Sequence, residues 1–114
     1  MKELKVTAKF KIQKGKMDVF KELAHQAIET VRDSEPETIV YNYYINEKRN
    51  EAVAVERYAS SEAALTHAGN VGGILAEMME IASLKLSIFG DVSDELRNGL
   101  EPLGARIYPF YMGA

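Results

Sequence analysis

The first dozen residues alternate. Leu4, Val6, Ala8, Phe10 and Ile12 are apolar, and Lys5, Thr7, Lys9 and Lys11 between them are polar. That period of two predicts a strand with one buried face. Gly15 breaks it, and from about Met17 the period lengthens. Phe20, Leu23, Ala24, Ala27, Ile28 and Val31 fall on one helical stripe, the signature of a helix lying on a core. Asp18 sits in the first turn, where a negative charge suits the helix dipole. Glu35–Pro36 ends the helix, because the residue before proline is pushed out of the α region.

Two further alternating runs, Thr38–Asn46 and Glu51–Tyr58, flank Glu47–Lys48–Arg49–Asn50 and predict a hairpin. A symmetric turn sets Tyr41 opposite Glu56, Tyr43 opposite Ala54 and Ile39 opposite Tyr58. Large residues facing small ones suit cross-strand packing. Glu56 and Tyr58 then share a face with Ile39, Tyr41, Tyr43 and Ile45. Arg57 shares the other face with Val40, Asn42, Tyr44, Val53 and Val55. A second helix starts at Ser60 or Ser61, either of which can cap it. It is expected to run to about Ile81, with Gly69, Gly72 and Gly73 bending or interrupting it. Ser83–Phe89 reads as a fourth strand. Ser93 caps a short third helix that aligns Leu96, Leu100 and Leu103 and is closed by Pro102 and Gly104. Arg106–Met112 reads as a final aromatic strand.

The order is βαββαβ, plus a short extra helix and a C-terminal strand. It predicts an α+β, ferredoxin-like single domain over residues 1–114, with one antiparallel sheet covered by helices on one face. The other face of the hairpin is too apolar for free exposure. A homodimer joining the open faces is therefore expected, with the last strand crossing to the partner.

Bulk properties narrow the functional classes. With 114 residues and 46% apolar content, the chain can build one core and is not disordered. A net charge of −3 provides no general attraction to nucleic acid or acidic membranes. The absence of cysteine excludes disulfides and thiolate metal sites. No apolar run is long enough to span a bilayer, and MKELKV lacks the apolar core of a signal peptide. The expectation is a cytoplasmic protein.

The stretch VAVERYASSEAALTH, Val53 to His67, concentrates the candidate chemistry. It places the carboxyl of Glu56 and the imidazole of His67 on adjacent elements. His67 aligns with Val71, Ile74 and Met78 on a continuous helix, at the edge of a wide apolar surface that suits a pocket wall. His25, by contrast, lies among Lys21, Glu22, Glu29 and Arg32 on a polar side. A single His beside an apolar stripe also fits a structural residue, and Glu56 also fits an ion pair or a cap. Four tyrosines on one hairpin (Tyr41, Tyr43, Tyr44, Tyr58) favour an aromatic-lined cavity. Other motifs fail. Two separated histidines lack metal-site spacing, and Gly69–Asn70–Val71–Gly72–Gly73 lacks the features of a phosphate loop. The aromatic signature of an RNA-recognition module is absent.

Taken in order, several short motifs resemble the antibiotic biosynthesis monooxygenase family of dimeric α+β barrels. They are Phe20 in the first helix, Arg32-x-x-Glu35-Pro36, Tyr41, Glu56-x-Tyr58, and Glu62–Ala63 followed by His67. The resemblance covers about Leu4 to Ile81. Two departures are a Glu at position 37, where the family usually has Gly, and the absence of Trp, which heme-degrading relatives use. The resemblance implies oxygenation of an electron-rich phenol or quinol without metal, flavin or heme. It makes His67 the base, Glu56 the group that orients or tunes it, and Tyr41, Tyr58 and Asn42 the substrate contacts. The partners implied are a second copy of the chain and a small aromatic or apolar substrate. Isomerisation of a small hydroxylated metabolite and non-catalytic binding of an apolar ligand are the alternatives.

Overall fold

The computed structural model describes residues 2–114. Strand β1 (Leu4–Ile12) runs down the middle of a five-stranded sheet of order β2-β3-β1-β4-β5. Its alternation is realised: Leu4, Val6, Ala8, Phe10 and Ile12 are buried, and Lys5, Lys9 and Lys11 are exposed. Helix α1 (Met17–Ser34) lays Phe20, Leu23, Ala24, Ala27 and Val31 on the sheet. It ends where Pro36 requires, with Glu35 as its C-cap.

The hairpin joins β2 (Thr38–Asn46) to β3 (Glu51–Tyr58) through a single 3₁₀ turn. Asn50 takes the left-handed conformation there, at φ 51°, a role that Asn fills at low cost. Tyr41 pairs with Glu56 and Tyr43 with Ala54, as the symmetric turn predicts. The far end differs. An irregularity between Thr38 and Val40 pairs Tyr58 with Thr38 instead of Ile39. Ile39 is left 50% exposed rather than on the inner face. A bulge adds a residue to one strand, so the alternation shifts beyond it.

Helix α2 (Ser61–Ile81) starts under the Ser60 cap, whose hydroxyl accepts from the Ala63 N–H at 3.1 Å. It is unbroken through Gly69, Gly72 and Gly73, contrary to the expected interruption. Each glycine costs about 1 kcal/mol against alanine. Burial of Ala63, Ala64, His67, Val71 and Met78 along the helix outweighs that cost. Strand β4 (Ala82–Phe89) follows directly, and Ser93 caps α3 (Asp94–Leu100) by accepting from the Leu96 N–H at 3.1 Å. A 3₁₀ turn over Glu101–Leu103 leads to β5 (Arg106–Tyr108). This strand is shorter than expected because Pro109 has no N–H to extend the ladder. It pairs in parallel with β4 of its own chain. The sheet is therefore mixed rather than wholly antiparallel, and β5 completes the edge of its own chain's sheet.

The helices cover one face of the sheet. The other face carries Lys5, Lys9, Tyr44, Val53, Val55 and Phe89. Among the described residues no helix is long and apolar enough to cross a membrane.

Candidate active site

Three elements each deliver one carboxyl or imidazole side chain to the space between the sheet and α2. Glu56 comes from β3, His67 from the second turn of α2, and Glu35 from the end of α1. All three are buried. Alternation along β3 forces Glu56 to the helical side together with Ala54 and Tyr58. His67 occupies the face of α2 that also buries Ala63, Ala64 and Val71.

His67 is held first by Glu35. Its Nδ1 lies 3.0 Å from Glu35 Oε1. The same carboxylate accepts from Thr38 Oγ1 at 2.7 Å and from Asn70 Nδ2 at 3.1 Å. With both neighbours donating, the carboxylate accepts from the imidazole as well, so the ring proton sits on Nδ1. That leaves the Nε2 lone pair facing Glu56 Oε1 at 3.7 Å, too far for a direct hydrogen bond. Glu56 instead accepts a short hydrogen bond from the Tyr58 hydroxyl. Tyr41 and Tyr58 clamp the imidazole, with ring centroids 4.8 Å and 5.2 Å away. The hydroxyls of Tyr41 and Tyr43 lie 2.8 Å apart.

Burial sets the electrostatics. It pushes the Glu56 carboxyl up to about 7, opposed by the Tyr58 hydrogen bond and reinforced by the nearby Glu35 charge. It also holds His67 below the usual histidine value, against the opposing pull of Glu35. Tyr43 rises to about 12, and Tyr41 and Tyr58 are raised as well, all mainly through burial. At neutral pH the imidazole is therefore neutral, the phenols keep their protons, and the Glu56 carboxyl is held far more readily in its protonated form than a free glutamate. A base with a free lone pair beside a carboxyl that can hold or release a proton is equipped for proton transfer. Among the described residues no group of three or more His, Cys, Asp or Glu could hold a metal ion.

Glu56, His67, Tyr41 and Tyr58 all line one cavity of about 360 Å³, within the range of small-molecule sites. Asn42 does not. It pairs with Val55 one residue out of phase with Tyr41 and Tyr43, and is exposed on the opposite face of the sheet. The expected division of labour at His67 also changes, because the carboxylate hydrogen-bonded to the ring is Glu35. In the sequence Glu35 stands out only as a helix terminator and part of a motif. Its spacing from His67 and Asn70, 32 and 35 residues, carries no local signal. Its place in a short motif with Arg32 and Pro36 was the available clue. His25 is exposed and pairs with Glu29 one turn on, at 3.0 Å.

The fold and its components have known counterparts. MupZ from Pseudomonas fluorescens is similar over the whole of this chain and 94% of its own, at 20% identity and TM-score 0.87. Rv0793 from Mycobacterium tuberculosis is similar over 81% of this chain and 97% of its own, at 21% identity and TM-score 0.70. A conserved protein from Methanosarcina mazei Go1 is similar over 77% of this chain and 91% of its own, at 20% identity and TM-score 0.69. The likeness to MupZ thus includes the C-terminal α3–β5 segment. No curated protein matches the sequence. The profile of the family described as Antibiotic biosynthesis monooxygenase matches residues 4–71, the stretch that supplies Glu35, Tyr41, Glu56, Tyr58 and His67. That match spans more than half of the chain and the fold agrees with it, so the protein belongs to the antibiotic biosynthesis monooxygenase family.

Proposed function

We propose that this protein is a cofactor-independent monooxygenase of an electron-rich hydroxylated small molecule, a phenol or quinol. The observation that carries the reading is the His67 imidazole on the cavity wall, held at Nδ1 by Glu35 and with Nε2 3.7 Å from Glu56 Oε1. His67 Nε2 takes the proton of the substrate hydroxyl, and the resulting anion is a strong enough reductant to pass an electron to dioxygen. A substrate C–H becomes C=O. One oxygen atom stays in the product, the other leaves as water, and all four electrons come from the substrate. The apolar walls exclude bulk water while the oxygenated intermediate collapses. Tyr41 and Tyr58 line the pocket beside the reacting group.

The test is oxygen uptake by metal-stripped protein supplied with dihydroxynaphthalenes. Uptake above background is expected, with a fall of about 10²- to 10⁴-fold in His67→Ala. Background uptake, or a fully active His67→Ala, sinks the proposal.

The Glu56 carboxyl supports a second reading. Its value near 7 lets it return a proton to a different atom from the one His67 deprotonates. An isomerase of a small hydroxylated metabolite would use that pair with no oxygen demand. Product formation under nitrogen separates the two. A non-catalytic binder would give ligand-dependent thermal protection and no product under either atmosphere.

The active form we infer is a homodimer joined through the open face of the sheet as a dimeric α/β barrel. Tyr44 is 58% exposed there, and Val53 and Val55 are only partly covered.

A further inference from the structure

The cavity walls are not uniform, and the sheet order explains how. Its polar groups all come from β2, β3 and the first half of α2: Tyr41, Tyr43, Glu56, Tyr58 and His67. Crossing the sheet through β1 to β4, the lining turns aliphatic, with Leu84 and Leu86. The lining on the second half of α2 includes Leu75, Met78 and Met79, and on the α3 segment it includes Leu96, Leu100 and Leu103. Among the described residues no Lys or Arg lines the cavity. The lysines of β1 point the other way, because alternation sends Lys5, Lys9 and Lys11 to the open face.

The geometry points to a substrate that is an uncharged amphiphile. Its hydroxyl or carbonyl head lies among Tyr41, Glu56, Tyr58 and His67, and its aliphatic tail runs across β1 and β4 under the α3 segment. The inference rests on the reading of this cavity as the reaction site. Two physical facts carry it. An anionic head would meet Glu56 with no cation to offset it, and a buried unpaired charge is costly. Leucine and methionine side chains pack an alkyl chain with no polar group left unsatisfied, and Met adapts to its shape. The tail-binding wall is built by the C-terminal segment, which lies beyond the family-matching residues 4–71.

Calorimetric titration of the full chain at pH 8 with 4-alkylphenols, from ethyl to heptyl, tests the assignment. Affinity is expected to rise about fourfold per added methylene, the equivalent of roughly 0.8 kcal/mol for each buried CH₂. The length-matched 4-alkylbenzoates, which are anionic, should bind at least tenfold more weakly. Leu100→Arg and Leu103→Arg, made separately because either could perturb folding, should each flatten the dependence on chain length. A flat series in the unmodified protein overturns the proposal. So does a benzoate that binds as well as the phenol, or a chain-length dependence that survives both substitutions. Binding and turnover separate here. A steep series without oxygen uptake leaves this inference standing and removes the proposed reaction. Uptake with a flat series does the reverse.

Discussion

The two faces of the β2–β3 hairpin reverse the usual partition of residues. The inner face buries a carboxyl and an array of phenol hydroxyls, with Glu56 and Tyr58 almost inaccessible. The outer face leaves Tyr44 exposed and Val53 and Val55 only half-covered. Burying ionisable groups costs stability unless they are partnered, and exposed apolar surface marks a contact site. The contrast matches the proposed reading, in which the inner face carries chemistry and the outer face association.

The largest effect should come from the inner network. Glu35→Ala removes the acceptor shared by His67, Thr38 and Asn70. A loss of about 4 kcal/mol in urea unfolding is expected, as for a buried polar network deprived of one member. A loss below about 1 kcal/mol would mean that the network is not closed.

Glu56 comes next, through pH. Its folded value of about 7 lies above that of the unfolded chain, near 4.5. The folded state therefore holds the extra proton between those values, and its contribution is lost as pH rises through the window toward 7. His67 opposes this below its ordinary value of 6.5, because its folded value is lowered and stability from it grows as pH rises. Comparing the unmodified protein with Glu56→Gln isolates the carboxyl. Between pH 4.5 and 8 the glutamine variant should gain on the parent by about 3 kcal/mol. Parallel curves would place Glu56 in a far more polar setting.

Tyr58→Phe removes the hydroxyl that donates to Glu56. The expected cost is about 1 to 2 kcal/mol at pH 8, with a further rise in the Glu56 titration followed by carboxyl NMR. An unmoved titration would show that the hydroxyl does not govern this carboxyl.

On the outer face, Tyr44→Glu should disturb folding least. Sedimentation should move from dimer to monomer while helical circular dichroism persists. A persistent dimer would put the interface elsewhere and break the contrast between the two faces.

Much of the architecture follows from local rules. Alternation placed Glu56 opposite Tyr41 and on one face with Tyr58, because successive side chains of a strand point to opposite sides. Pro36 ended α1 by sterics alone. Helical spacing separated the buried His67 from the exposed His25. The sequence alone therefore determined the element order and which side chains share each face of the hairpin, and it singled out His67 over His25 as the candidate base. Which hairpin face lines the cavity was settled by how the helices pack on the sheet. Tertiary structure decided the rest. The bulge that turns Ile39 outward answers to pairing with β3. The unbroken path of α2 through three glycines answers to what the helix buries. The pairing of β5 with its own β4 answers to where α3 returns the chain. Above all, Glu35 became the partner of His67, because the side chain at a helix end is aimed by packing between elements. A contact across 32 residues leaves no periodic trace in a chain.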